Sequence, residues 1–184
     1  AIVACHGPLQ VMSEDGTLAG LKGNLTEKRL YELASVVTKT ACPSLQGCTF
    51  AADKLKKFPF DETLFFEDWD FFIRLFLEGY GVSSDEAVSV LYRQHEGGAN
   101  RRIGRMIKSR QDIRNKHFDA ISSKDPNLAR TFDFTIAFSN LMGLSYTGNI
   151  GAWTATFVRL LARDPKAVVC RTRTVAWSLK NLIR

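Results

Sequence analysis

FPFDETLFFEDWDFFIRLFLEGYGVSSDEAVSVLYRQHEGGAN, residues 58–100, is the stretch that decides how this chain folds. Its middle carries the clearest periodicity in the sequence. From Glu67 to Glu78, Phe71, Phe72, Leu75 and Phe76 recur at helical spacing and Gly79 follows as a C-cap, which predicts a helix with its aromatic stripe in the core. Asp61, Glu62, Glu67 and Asp68 bracket Phe65-Phe66, and Asp70 stands just behind them. Acids in a first helical turn are favoured by the helix dipole by about 0.3–1 kcal/mol each. Glu67 and Asp68 therefore have a plain reading as capping charges beside any chemical one. After the helix, Ala87–Tyr92 is rich in strand formers and reads as a buried strand that ends in the polar, glycine-containing Arg93–Asn100.

Working outward toward the start, Ile2, Val3, Leu9, Val11 and Met12 form strand-like runs broken at Gly7-Pro8, and Asp15-Gly16 is a turn signal. Residues 26–39 read as a helix with Thr26 as N-cap, because Leu30, Leu33, Val36 and Val37 recur at helical spacing. Gly47-Cys48-Thr49-Phe50 reads as a short extended piece, Asp53–Lys57 as a short polar helix and Pro59–Glu62 as a turn. Toward the other end the character changes. Residues 101–119, 127–146, 149–163 and 166–183 read as helices, separated by Ser122–Pro126, Gly148-Asn149 and Asp164-Pro165. Gly148, Phe157 and Pro165 match the offsets of one tetratricopeptide unit, although a generic helical hairpin explains them better. The expected organisation is an α/β part over residues 1–100 and an α-helical part over 101–184.

Of the 184 residues 45% are hydrophobic and 13 are Phe, which suits a packed core and argues against disorder. No apolar run approaches the ~20 residues of a membrane span. The chain opens on Ala1 within a strand-like run, which reads as a processed chain or a piece of a longer one. Cys5, Cys42, Cys48 and Cys170 show no CxxC pair, and His6, His95 and His117 complete no zinc pattern, so the cysteines read as small buried thiols in a reducing compartment. Charge is divided. Residues 101–184 carry 16 Lys and Arg against 5 Asp and Glu, whereas residues 1–100 carry 9 against 14. A basic tail of this kind prefers anionic surfaces.

Five elements in order resemble the second half of a family-2-type inverting glycosyltransferase domain. They are Gly47-Cys48-Thr49-Phe50, Phe60-Asp61-Glu62, Glu67-Asp68-Trp69-Asp70, Arg74, and Tyr92-Arg93 with His95. The resemblance covers about residues 1–100 and implies a partial GT-A-like sheet with helices. It implies that Asp68 is the general base that takes the proton of the acceptor hydroxyl. Glu67 would orient the acceptor or support the loop, and Trp69 would pack beneath the site or against the acceptor sugar. Gly47 and Cys48 would border the acceptor. Arg93 would lie near the leaving diphosphate, and His95 would help hold the diphosphate or a Mg²⁺ or Mn²⁺ ion. The implied partners are a nucleotide-sugar donor and a glycan or lipid-linked acceptor.

The residue types suit that chemistry. A positioned carboxylate gains about 10²–10⁴-fold by accepting a hydroxyl proton in the transition state. Growing charge on a leaving diphosphate is stabilised by a metal ion and by cationic groups. Nothing in the sequence reads as a covalent nucleophile with its own base, so a single inverting displacement is expected.

The sequence departs from the family in two places. No Asp-x-Asp follows an apolar strand, so the nucleotide-binding half is expected on a longer protein or on a second chain. A parallel sheet lacking that half is expected to have an open edge. Lys57-Phe58-Pro59 also stands where the family has a Gly-Gly pair.

Arg101, Arg102, Arg105, Lys108, Arg110, Arg114 and Lys116 read as a solvated helical face or as a contact to an anionic membrane surface. In the last helix Val168, Val169, Val175, Ala176, Leu179, Leu182 and Ile183 cluster against Arg171, Arg173, Lys180 and Arg184, with Trp177 as an interfacial residue. That pattern leads us to expect a cytoplasmic enzyme, peripheral at the inner face of the cell membrane. Nucleic acid is not an expected partner, because no RRM, KH, zinc-finger or helix-turn-helix pattern accompanies the basic residues. The competing class is a non-catalytic helical interaction or anionic-surface-binding module, in which the acids only cap helices and His95 is a surface residue.

Overall fold

A computed structural model of the chain describes residues 1–13, 15–22, 30–39, 42–84, 90–93 and 102–182. The chain divides into two compact units, Ala1–Arg101 and Arg102–Arg184. The first is mixed α/β and the second is α-helical.

In the first unit, strand β1 (Ile2–His6) lies at the centre of a four-stranded sheet. Strand β5 (Cys48–Phe50) pairs antiparallel on one side of it, with His6 opposite Cys48 and Ala4 opposite Phe50. Strand β6 (Gly81–Ser84) pairs parallel on the other, with His6 opposite Ser84. The two-residue strand β4 (Leu30–Tyr31) closes the far edge against β6. The sheet is therefore mixed, and its edges are strands of two and three residues, short enough to offer little template for further pairing. After Gly7-Pro8 the chain enters a second sheet. There β2 (Leu9–Met12) pairs antiparallel with β3 (Leu18–Lys22) and parallel with β7 (Val90–Arg93). The hairpin between β2 and β3 turns at Asp15-Gly16: Gly16 has φ +91°, and the Asp15 carboxylate accepts from the Thr17 amide at 2.9 Å.

Helix α3 (Glu67–Leu77) packs on the first sheet. Phe71, Phe72, Ile73 and Leu75 are fully buried. The Phe50 ring meets Phe71 edge-on at 5.4 Å and stacks on Phe72 at 6.2 Å, so α3 covers the face that also carries Ala4, Cys48 and His6. The helix ends as expected at Gly79, φ +80°, where the Tyr80 amide donates to the Leu75 carbonyl at 3.2 Å in a Schellman closure. Asp70 is fully buried and bonded to Arg74 Nε at 2.9 Å, and Arg74 also donates to the Pro59 carbonyl at 2.7 Å. Asp61 and Glu62 lie in the turn before α3, where Asp61 Oδ1 accepts from the Thr63 amide and hydroxyl.

Several expectations need correction. The helix expected over 26–39 is only α1 (Leu33–Val37), capped by Glu32 and Ser35, and Leu30-Tyr31 is a strand. Thr26 lies outside the described residues. Tyr31 is needed opposite Val82 in the sheet, and that pairing outweighs a weak helical periodicity. Of the buried strand expected over Ala87–Tyr92, residues 87–89 lie outside the described residues; the described part belongs to β7, which among the described residues pairs with β2 alone at a sheet edge and leaves Leu91 58% exposed. Strand β6 has no counterpart in the expectations. The cysteines are not buried thiols either: Cys5, Cys42 and Cys170 are exposed and Cys48 is half-buried. Cys5 points to the face of β1 opposite α3, and Cys170 sits at a helix break.

In the second unit the helices are α4 (Ile103–Lys124), α5 (Pro126–Leu144), α6 (Ile150–Arg163), α7 (Pro165–Val169) and α8 (Thr172–Leu182). Asp125, Asn149 and Asp164 cap α5, α6 and α7, with Pro at the first helical position of α5 and α7. The single last helix expected over 166–183 is broken at Cys170-Arg171. Its β-branched residues Val168, Val169, Thr172 and Thr174 weaken the helix there, and Arg171 lays its guanidinium over Phe138 and Phe134 at 4.7 and 5.3 Å.

The core is Phe134, Phe138, Leu141, Trp153, Leu160, Val168 and Leu182. Two polar pins cross it. Trp153 Nε1 donates to the buried Ser178 hydroxyl at 2.9 Å, joining α6 to α8. Asp133 on α5 accepts from Arg114 Nε of α4 at 2.7 Å and pairs through its other oxygen with Arg163 of α6. Among the described residues no helix is long and apolar enough to cross a membrane. Asp133→Ala leaves two arginines without their shared partner, and both can turn to solvent. We expect a loss of about 2 kcal/mol, read as a lower urea midpoint at an unchanged slope.

Candidate functional site at the end of strand β1

Phe66, the N-cap of α3, has no side chain able to cap the helix. The first-turn amides fall to the acids that follow, and Asp68 Oδ1 accepts from the Trp69 amide at 2.7 Å. Asp68 is half-buried, and among the described residues its Oδ2 carries no hydrogen bond. One oxygen serves the backbone.

The neighbouring residues come from three segments. Cys42 is the first: desolvation pushes its thiol up to about 12, the Asp68 carboxylate adds to the rise, and the Lys39 ammonium opposes it. Some of the Cys42 surface is accessible, yet the thiol is crowded by protein and lies close to both charges. Lys39 adopts φ +55°, a left-handed conformation that costs a non-glycine residue about 1 kcal/mol or more. Its ammonium sits 4.0 Å from the Trp69 ring centroid and 4.8 Å from that of Phe66. Cys48 is likewise pushed up to about 12, first by desolvation and then by Cys42 and Cys5. Both thiols are protonated at neutral pH and form neutral walls, not nucleophiles.

His6, opposite Cys48, is 2% exposed. Its Nδ1 is 2.9 Å from the Tyr31 hydroxyl, and its buried Nε2 has no hydrogen-bond partner among the described residues. Burial lowers its pKa below the ordinary 6.5, so the ring is neutral. Gly47 closes the group. A Cβ there would stand 2.6 Å from the Gly7 carbonyl oxygen and 3.1 Å from the His6 ring, and the Gly7 amide donates to the Gly47 carbonyl at 2.9 Å. No side chain fits at position 47.

Of the residues proposed from sequence, Gly47 and Cys48 lie beside His6 at the carboxyl end of β1, and Asp68 and Cys48 are each electrostatically coupled to Cys42. Glu67 is half-buried in the first turn of α3. Trp69 is 3% exposed and its indole donates to the Val36 carbonyl at 3.0 Å. At that burial the ring has little surface left to stack on an acceptor sugar. Arg93 is exposed at the end of β7 in the other sheet, opposite Met12, three strand residues beyond the start of β2. No described contact joins it to Asp68. His95 lies outside the described residues, and among those described no group of three His, Cys, Asp or Glu could hold a metal ion.

Sequence reasoning missed His6, Tyr31, Lys39 and Cys42. His6 had one usable signal, its place just before the strand-ending Gly7-Pro8. No family model, curated protein or solved structure matches the chain.

Two outcomes follow from the geometry. Gly47→Ala forces a methyl against backbone and costs about 1–3 kcal/mol by urea denaturation. The folded state resists protonating His6 while the unfolded chain takes up that proton. Stability contributed by the neutral ring is therefore complete above pH 6.5 and is lost as pH falls below it toward the lowered folded value. His6→Gln flattens that part of the profile of urea midpoint against pH; an unchanged slope would contradict a neutral buried ring.

Proposed function

We propose that this chain is the acceptor-side, catalytic-base half of an inverting, family-2-type glycosyltransferase with a partial GT-A-like sheet. It acts on a nucleotide-diphosphate sugar and a hydroxyl of a glycan or lipid-linked acceptor. The observation that carries the reading is Asp68: a half-buried carboxylate at the head of α3 whose Oδ1 accepts from the Trp69 amide, and whose Oδ2 makes no hydrogen bond among the described residues. In the proposed step the acceptor oxygen attacks the anomeric carbon and the bond to the diphosphate breaks. The hydroxyl proton passes to Asp68 Oδ2. Inversion follows from a single displacement with no protein nucleophile.

Glu67 orients the acceptor from the same turn, and Gly47 and Cys48 border it. The resemblance also implies a Mg²⁺ or Mn²⁺ ion near His95 and Arg93. The described residues provide no ligand cluster for it, so the contribution assigned to this chain is proton transfer and acceptor placement.

A non-catalytic helical module has one observation in its favour, since Asp68 Oδ1 does cap the Trp69 amide. The two readings separate in the full-length protein, assayed with a panel of nucleotide-diphosphate sugars and a lipid and glycan acceptor extract. Asp68→Asn, which keeps the amide contact, is expected to lower transfer by about 10²–10⁴-fold with an unchanged circular-dichroism spectrum. Undiminished transfer in the folded variant sinks the catalytic reading.

A further inference from the structure

Helix α8 buries Ser178 and Leu182 and half-buries Arg171, Val175 and Asn181 around it, a three-and-four spacing that defines its inward face. Arg173, Ala176 and Lys180 occupy the opposite, exposed face. On one flank Trp177 is 47% exposed and meets the 59% exposed Tyr146 edge-on at 5.8 Å. Leu179 on the other flank and Val169 at the end of α7 are also exposed. Helix α8 contains no Asp or Glu, and the only acid in residues 150–182, Asp164, is spent as the cap of α7. Lys166, Arg173 and Lys180 are all exposed around this patch.

We propose that α7 and α8 dock the chain on an anionic lipid surface, with Tyr146 and Trp177 at the headgroup level and the neighbouring cations against lipid phosphates. Three features favour that occupant. A second copy would bring like charge to like charge. A nucleic acid would have no use for exposed Val169 and Leu179, and it would need open ring faces where Tyr146 and Trp177 already meet. An interface of apolar acyl boundary and anionic headgroups matches both parts of the patch. The proposal rests on the second unit alone, so the transfer reaction and this contact stand or fall separately.

The three tryptophans make a direct test, because Trp69 and Trp153 are 3% and 5% exposed and only Trp177 is open to a new environment. The whole chain is mixed with vesicles of phosphatidylcholine alone and of phosphatidylcholine with phosphatidylglycerol. Flotation and a blue shift of tryptophan emission are expected only with the anionic vesicles, and both weaken as salt is raised. Arg173→Glu and Lys180→Glu each lower partitioning by about fivefold or more. Trp177→Ala also lowers it at an unchanged urea midpoint, while Trp177→Phe retains most of it. Equal binding to neutral vesicles, no emission shift, or full retention after both charge reversals overturns the proposal. So does a patch-dependent dimer in light scattering, or binding of a nucleic-acid duplex that these substitutions abolish while vesicle binding persists.

Discussion

The first unit depends on the wedge that Phe71 and Phe72 drive beneath the central sheet. Phe71 touches Phe50, Phe58, Phe60 and Phe72, so one ring joins the edge strand, the end of the short helix α2 (Ala52–Lys57), the turn before α3 and α3 itself. Burying each such ring contributes about 1.5–3 kcal/mol, and the edge-on pairs add about 0.5–1.5 more. Arg74 neutralises the fully buried Asp70, and the same arginine holds the Pro59 carbonyl. These contacts leave α3 one angle and one register. With Trp69 and Asp70 turned inward, Glu67 and Asp68 are left on the rim. The place of the candidate base is thus a by-product of where the aromatic stripe must go.

That stripe was readable because periodicity over a whole helix is a strong signal, and so were the breaks at Ser122–Pro126, Gly148-Asn149 and Asp164-Pro165, where Asp125, Asn149 and Asp164 cap the helices that follow. What could not be read depends on partners distant in sequence. Gly81-Val82-Ser83-Ser84 is too short and too polar to announce a strand; it becomes one because β1 lies beside it in parallel. Leu30-Tyr31 sits inside a helical pattern and is extended because its partner is Val82. The last helical stretch has enough apolar spacing to look continuous, and nothing local shows that Arg171 will stack on Phe134 and Phe138 and end one helix before the next.

The site divides in the same way. Gly47, Cys48 and Asp68 were visible through the order of their motifs, and Asp68 through its place at a helix start. The Tyr31–His6 contact spans 25 positions and both partners lie in short strands, so no pattern announces it. The left-handed Lys39 is still less legible, since a lysine carries no propensity for that conformation. Its cation lies over the Phe66 and Trp69 rings, a contact no local pattern shows. Arg93, expected near the leaving diphosphate, stands exposed at the end of β7 in the second sheet, a placement that motif order alone does not give.

Charge in the second unit is best understood from what the acids there do. Asp125 and Asp164 cap helices, Asp133 binds two arginines across the core, and Asp112 pairs with Lys108 on α4. Asp119 is the remaining one, and it is exposed. Four of five acids are thus committed to local architecture, and none lies on α8. The exposed cations of α7 and α8 therefore face solvent without a balancing carboxylate on their own helices. A field of that kind favours an anionic partner at low ionic strength and is screened over about 8–10 Å at physiological salt. It acts at close range, and Tyr146 and Trp177 lie at the range where it acts.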